Sequence, residues 1–584
     1  MSTTDALPAE APRSGDAHHG GLSRLLWYRS LDRYPNTGAR MTYLAVVVVA
    51  TIILYYELYV QGAVAPTIIS HYGMSFRYYI DILVGANLAG AFASVVAGLA
   101  DRWGRANLVA YGLGITGALI AFGVPNAPNS LTFAIIIVLV GFVEGMLLVA
   151  TPALVRDFSP QLGRASAMGF WTLGPVVGSL CVSEVGSHTL SHLHAWQDQF
   201  IICGIVGLVV FVIAVVGLRE LSPQLRDQLM VSMRDRALIE ARAKGIDVEE
   251  SLRHPWRQML HLDIIASAFG VSVLLLVYYS AVVFFVIYFV TIYGFTISQA
   301  NGLGNWFWAF DAVALIVVGV ISDLTKVRKP FMVVGAAGAI VMTIVFLMHA
   351  TQPHTTYYSF ALIITLLAVF LGTAYAPWMA GFTETVEKRN PALIATGLAV
   401  WGWILRIVVA VALFVVPFVV SSTTPLVQYG TPVESALAAV QKAPPVQVPY
   451  SSAPVSLLSV VEGHAALFGQ LARYPKASDI PPYLLDKAIG AVGIPALTEA
   501  NKYKAPLGVL SAHGTQVESA KAVTPHQWQH WWWVCVAGEI VFLPLILLMV
   551  GRWRPKKAKK DAEDHEREVT EELARLGLDG AAGG

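Results

Sequence analysis

The sequence predicts an all-α integral membrane protein: twelve transmembrane helices in two six-helix halves, with a small helical insertion on the extracytoplasmic side. Three observations predict it. The chain is 56% hydrophobic and only 13% charged, against about 25% charged residues in ordinary soluble domains, and its apolar residues gather into runs of about 20, the length that spans a hydrocarbon core. A charged loop recurs at matched places: Ala97-Gly98-Leu99-Ala100-Asp101-Arg102-Trp103-Gly104-Arg105 after the second run, and Gly319-Val320-Ile321-Ser322-Asp323-Leu324-Thr325-Lys326-Val327-Arg328-Lys329 after the eighth. Lysine and arginine also fall almost entirely on one side of the runs.

The spans are expected at 41–62, 78–100, 106–124, 129–154, 163–186, 199–218, 263–291, 299–322, 329–349, 357–382, 391–420 and 529–551. Lipid offers no partner to a free peptide group, so runs of this length must be helices. The loops after spans 2, 4, 8 and 10 carry Arg102 and Arg105, Arg156 and Arg164, Lys326, Arg328 and Lys329, and Lys388 and Arg389. The opposite short loops hold no Lys or Arg except Arg77. The positive-inside rule then places both termini in the cytoplasm of a multi-pass protein of the cell membrane.

The first 40 residues have no apolar core and form a polar cytoplasmic tail, not a signal peptide. Residues 41–218 make the N-terminal half. Residues 219–262 are a cytoplasmic linker in which Leu225, Leu229, Met233, Ala237 and Ala241 share one helical face, as in an amphipathic connector. Helices 7–11 occupy 263–420. Residues 421–528 are too long for a loop between packed spans and read as the helical insertion. Thr431-Pro432-Val433-Glu434 has the form of a capping box starting a helix, and Ser456–Leu471 and Pro482–Ala491 show helical apolar spacing. Gln527–Trp533, with four tryptophans, re-enters the membrane ahead of span 12 at 529–551. Residues 552–584 are a charged cytoplasmic tail.

Composition excludes several classes. A net charge of +1 points to no nucleic-acid partner. Cys181, Cys203 and Cys535 lie in apolar runs with no pairing or metal-ligand spacing. His188, His192 and His194 read as a polar outer loop, so no metal is expected. No Walker sequence and no nucleophile constellation is present, so neither an enzyme nor an ATP-driven pump is expected.

The loop after span 2 resembles the G-x-x-x-D-R-x-G-R-[RK] signature of the major facilitator superfamily. It matches at Asp101, Arg102, Gly104 and Arg105, with Ala97 where the first glycine is usual. The half-repeat after span 8 keeps Gly319, Asp323, Arg328 and Lys329. The resemblance covers about 41–420 and 529–551. It implies the twelve-helix fold and contacts among these charges that are made in one state and broken in another. Arg105 is placed to reach an acid such as Asp157 after span 4.

Span 1 reads Glu57-Leu58-Tyr59-Val60-Gln61-Gly62-Ala63-Val64-Ala65-Pro66. It resembles the D-x-x-x-x-G-x-x-A-P pattern of proton-coupled aromatic-acid and metabolite symporters of the superfamily, with Glu57 for Asp. Span 5 carries Gly174, Pro175 and Gly178, similar to the G-P-x-x-G-G motif of proton-coupled drug exporters; close packing is the alternative reading. Gly141 stands where exporters tend to place an arginine.

Asp311, Arg406 and Glu144 lie in mid-span. Charges there are costly unless paired or facing water, and low dielectric favours the neutral form of a carboxyl, which suits proton uptake and release. Glu57 and Asp311 are the leading proton-handling acids, with Glu144 beside them. Arg406 is the leading anion-binding group, or alternatively a partner for Asp311. Trp171, Tyr279, Trp378, Trp401 and Trp403 are candidates to line the cavity. The expectation is proton-coupled uptake of a small organic anion by alternating access, driven by a proton gradient with no cofactor. Proton-coupled export of hydrophobic compounds is the alternative, and a transporter-like sensor that uses the insertion is a further one. The expected partners are a small-molecule substrate, protons and the bilayer, with any protein partner of the insertion unassigned.

Overall fold

The computed structural model describes residues 27–96, 104–158, 163–222, 225, 255–352, 354–390, 393–449, 451–471, 473–474, 479–557, 560 and 567. Asp101 and Arg102 lie outside these residues, as do the amphipathic face beyond Leu225 and most of the C-terminal tail.

The first half opens with β1 (Ser30–Leu31) and α1 (Thr37–Ala63). The Asn36 side chain accepts the Ala39 N–H at 2.9 Å and caps α1. The chain leaves helical geometry at Val64, and α2 (Ala65–Tyr72) restarts with Pro66 in its first turn, where a missing N–H costs nothing. There follow α3 (Phe76–Val96), α4 (Arg105–Ala118, prolonged by one π-helical turn to Gly123), α5 (Ser130–Phe158), α6 (Gly163–Thr189), α7 (Trp196–Gly217) and β2 (Glu220–Leu221).

The second half contains α8 (Pro255–Met259), α9 (Leu262–Leu274), α10 (Leu276–Tyr293), α11 (Ile297–Thr325), α12 (Lys329–His349), α13 (Tyr357–Arg389) and α14 (Ile394–Val419). The inserted segment holds α15 (Thr423–Gln441), α16 (Leu457–Gly463), α17 (Ala465–Leu471) and α18 (Pro482–Lys502). Last comes α19 (Lys504–Leu545).

Among the described residues ten helical segments are long and apolar enough to cross a membrane. Helices α3 and α6, of 21 and 27 residues, take the places of the second and fifth predicted spans. Span 7 is broken at Leu275 into α9 and α10.

Two expectations are corrected. Pro432 lies inside α15, which starts eight residues before the predicted cap at Thr431; the apolar face of this helix is already packing at Leu426, and tertiary burial overrides a local cap signal. Span 12 is also not a separate helix, because α19 runs 42 residues without interruption. At about 1.5 Å per residue it is about 63 Å long, twice the ~30 Å hydrocarbon core. Its first half therefore stands clear of the bundle as part of the inserted domain and pairs there with α15.

An arrangement not visible in the sequence ties the first tail to the linker. β1 pairs in parallel with β2, Ser30 opposite Glu220. Arg29 is buried beneath this pair and donates to the Ala214 carbonyl at the end of α7.

Candidate functional site

The described ends of the two charged loops each place an arginine against an acid at the end of the second span after the loop. Gly104 holds φ +86° and ψ 132° at the start of α4, and a Cβ there would strike the Glu220 carboxylate. That carboxylate accepts the Arg105 N–H at 2.6 Å, capping a helix start whose free N–H groups attract anions. The Arg105 guanidinium reaches Asp157, at the end of α5, at 3.0 Å. In the second half Arg328, before α12, meets Glu384 in the last turns of α13 at 3.0 Å, Asp323 at 2.6 Å and the Ser322 hydroxyl at 2.9 Å. Lys329 is buried and donates to the Leu547 carbonyl at 3.3 Å. Arg105–Asp157 and Arg328–Glu384 thus join equivalent helices, α4 to α5 (spans 3 and 4) and α12 to α13 (spans 9 and 10). Gly319 makes no tight contact, the nearest atom to an added Cβ being Ala376 Cβ at 3.9 Å.

Of the cavities where the halves meet, two hold candidate residues. The smaller, about 100 Å³, is lined by Tyr55, Tyr59 and Thr172 from the first half and by Tyr278, Tyr279, Asp311, Tyr375 and Trp401 from the second. The larger, about 450 Å³, is lined by Gln61, Asn87 and Glu144 on one side and by Tyr279, Trp403 and Arg406 on the other. Tyr59 and Tyr279 form the wall common to both. The larger cavity opens laterally between α3 and α14, where Leu88, Phe92 and Trp403 are exposed.

The structure sorts the candidate residues. Glu144 is 1% exposed and lines the larger cavity, and neither carboxyl oxygen has a hydrogen-bond partner among the described residues. Asp311 is buried at the smaller cavity against Gly372 of α13. Arg406 is exposed along the larger cavity, so the alternative in which it neutralises Asp311 is corrected: the two line different cavities, and Asp311 has no ion pair among the described residues.

Glu57 is also relocated. Its carboxyl turns into the first half, accepts the Thr116 hydroxyl at 2.6 Å and presses on Gly207 of α7; it lines neither cavity. Trp378 is buried, donates its ring N–H to the Ser267 hydroxyl at 3.0 Å and packs on Phe382 and Trp401. It is therefore a packing residue and not a lining one. The side chain of Trp171 lies outside the described residues.

Gly174 and Gly178 serve close packing. A Cβ on either would meet α1 at Thr51 or Tyr55 within 2.7 Å. Pro175 between them faces the smaller cavity. Gly62 of the span 1 motif lets α1 approach α10, since its Cβ would lie 2.7 Å from the Val282 carbonyl oxygen. Gly90 and Gly145 bring α3 against α5 in the same manner.

Sequence reasoning named Tyr279 but not Tyr55, Tyr59, Tyr278 or Tyr375, which line the cavities with it. The doublets Tyr55-Tyr56 and Tyr278-Tyr279 stand at corresponding places in spans 1 and 7, a repeat signal that marks Tyr55 and Tyr278. It also missed Glu539 of α19, which is fully buried and accepts the Thr343 hydroxyl at 2.8 Å, much as Glu57 accepts Thr116.

Three hydrogen bonds between the halves lie at the end away from the charged loops, and two more tie the first half to the inserted segment there. Asn301 donates to the Ala63 carbonyl at 2.9 Å, Ser298 to the Ser187 carbonyl at 2.5 Å and Asn305 to the Ser187 hydroxyl at 2.9 Å. Phe76 N–H donates to the Thr424 hydroxyl at 3.1 Å, and Gln428 to the Met74 carbonyl at 2.8 Å.

Duplicated helical halves, shut at one end around cavities holding ionisable side chains, define a transport-type membrane protein. The sequence profile of the Major Facilitator Superfamily matches residues 47–413. The chain belongs to that superfamily and is a transporter of its fold. Among solved structures it is similar to a bacterial homologue of the human lysosomal transporter Spinster, inward-facing and unoccupied, at 14% identity over 88% of this chain and 98% of that one, TM-score 0.56. The occupied inward-facing form of that homologue gives 14%, 88%, 97% and 0.55. The xylose transporter XylE from E. coli, partially occluded and inward-open, gives 13%, 65%, 92% and 0.49. No curated protein sequence matches the chain.

Proposed function

We propose that this protein carries a small organic anion across the cell membrane by proton-coupled symport. The carrying observation is the placement of Arg406, Glu144 and Asp311 on cavities that share the Tyr59–Tyr279 wall between the halves. Arg406 supplies fixed positive charge for a carboxylate or similar group. Asp311 and Glu144 are buried carboxyls without cationic partners among the described residues, the condition under which a carboxyl binds and releases a proton as its surroundings change. Glu57, bonded to Thr116, braces the first half in this reading.

The charged-loop face is cytoplasmic by the positive-inside rule, and the inserted domain then lies outside. The described hydrogen bonds between the halves sit at the outer end, which supports reading this state as closed outward. Alternating access breaks them while the inner ends approach.

One observation favours export of hydrophobic compounds by proton antiport as a second reading: the larger cavity opens sideways through the exposed Leu88, Phe92 and Trp403. Proteoliposomes under an imposed pH gradient separate the two. Symport accumulates a carboxylated solute with the proton flow and stops on adding a protonophore; antiport moves an apolar solute against that flow. Flux indifferent to the protonophore rejects proton coupling in both.

A further inference from the structure

Among the described residues, the inserted domain has no single buried core of the kind expected of a unit of its size. Its buried apolar side chains among these residues form three clusters, around Val440 and Leu457, around Val433 and Val517, and around Leu467 and Leu484, bridged only by partly buried side chains such as Leu510 and Leu497. Between them lies a cavity of about 930 Å³, at the upper end of the ~300–1,000 Å³ range of small-molecule sites. Its walls draw on all three clusters, through residues such as Leu458, Phe468, Leu471 and Val517. Protein interiors otherwise pack without voids much larger than a water. An apolar guest would join the three clusters into one core.

The charge at the opening selects among guests. Glu462 and Glu518 line the cavity, are exposed and make no ion pair among the described residues. Of the two lysines on the same wall, Lys521 pairs with Glu434 at 2.6 Å, whereas Lys504 donates to the neutral Tyr474 carbonyl at 3.1 Å and keeps its charge, one ammonium against the two carboxylates of Glu462 and Glu518. The charge left over for a guest is negative. A segment of this chain is a poorer occupant, since the C-terminal tail leaves from the far end of α19.

We propose that the inserted domain binds an amphiphile with a drug-sized apolar body and a cationic group. This goes beyond the transport reading and does not depend on it.

The test uses the full chain in lipid nanodiscs. Tetraphenylphosphonium and tetraphenylborate have one shape and opposite charge. Each is measured by equilibrium dialysis against empty nanodiscs. The expected result is saturable binding of the phosphonium, about tenfold tighter than the borate, a difference of about 1.4 kcal/mol. Gly469 and Gly514 line the cavity with nothing within 4 Å of an added Cβ, so Gly469→Leu with Gly514→Phe fills it and abolishes binding. Gly508→Phe, at a third such glycine on the wall, repeats the test should the double variant not fold. Glu462→Gln with Glu518→Gln removes the preference for the cation. Absence of saturable binding, a preference for the borate, or unchanged binding in a folded, cavity-filled variant overturns the proposal.

Discussion

Gly104 illustrates how one residue of the charged loop has its identity set by geometry. Its φ of +86° and the Glu220 carboxylate beside it leave no room for a Cβ. Gly104→Ala is expected to destabilise the fold by about 1–3 kcal/mol, read as a lower thermal midpoint in detergent; an unchanged midpoint refutes this account. In the proposed function the cavity residues act through charge. Arg406→Ala is expected to weaken binding of an anionic substrate about tenfold or more, as loss of a charged hydrogen-bonding group does, in a proteoliposome binding assay. Asp311→Asn is expected to stop pH-driven accumulation while leaving solute exchange intact; accumulation at the wild-type level would remove Asp311 from the coupling. The loops were legible in the sequence because acid, glycine and arginine recur at fixed spacing. Glu384, the partner of Arg328, was not, since nothing in its own neighbourhood distinguishes it from other polar residues at a span end.

At the scale of helices, contacts between small residues set how the spans cross. Lipid is as apolar as leucine, so spans associate through close packing and hydrogen bonds instead of by escaping water. Gly145 meets Gly90 so closely that an added Cβ would fall on the opposing backbone. Gly145→Leu is expected to part α3 from α5, cost about 1–3 kcal/mol through overpacking and distort the cavity that Glu144 lines. A thermal midpoint and transport rate equal to wild type would show that the crossing tolerates the side chain. Span positions were read from hydropathy alone, whereas the start of α15 and the length of α19 were not. A local Thr-x-x-Glu signal and a run of apolar residues say nothing about a helix that continues past the membrane because its outer turns pack on another helix.

For the molecule as a whole, the bonds that join the halves at the end away from the charged loops hold, in the proposed reading, one end of a transport cycle. Ser187→Cys with Asn305→Cys, made after replacing Cys181, Cys203 and Cys535, places thiols where the two side chains now touch at 2.9 Å. A short reducible crosslinker across this pair is expected to abolish transport, and reduction to restore it. Full transport by the crosslinked protein would show that this end never opens, and alternating access would fail.

By itself the sequence determined the membrane-spanning class, the duplicated charged loops and the presence of a helical insertion. Each follows from the order of apolar and charged residues along the chain. The tertiary structure alone decided that Glu144 and not Glu57 faces a cavity, that Trp378 is packing, and that Tyr59 and Tyr279 meet between the halves. The physical reason is that a helix apolar on every side carries no mark of which face turns inward. In water, polarity would have labelled that face; in lipid, only the neighbouring helices do.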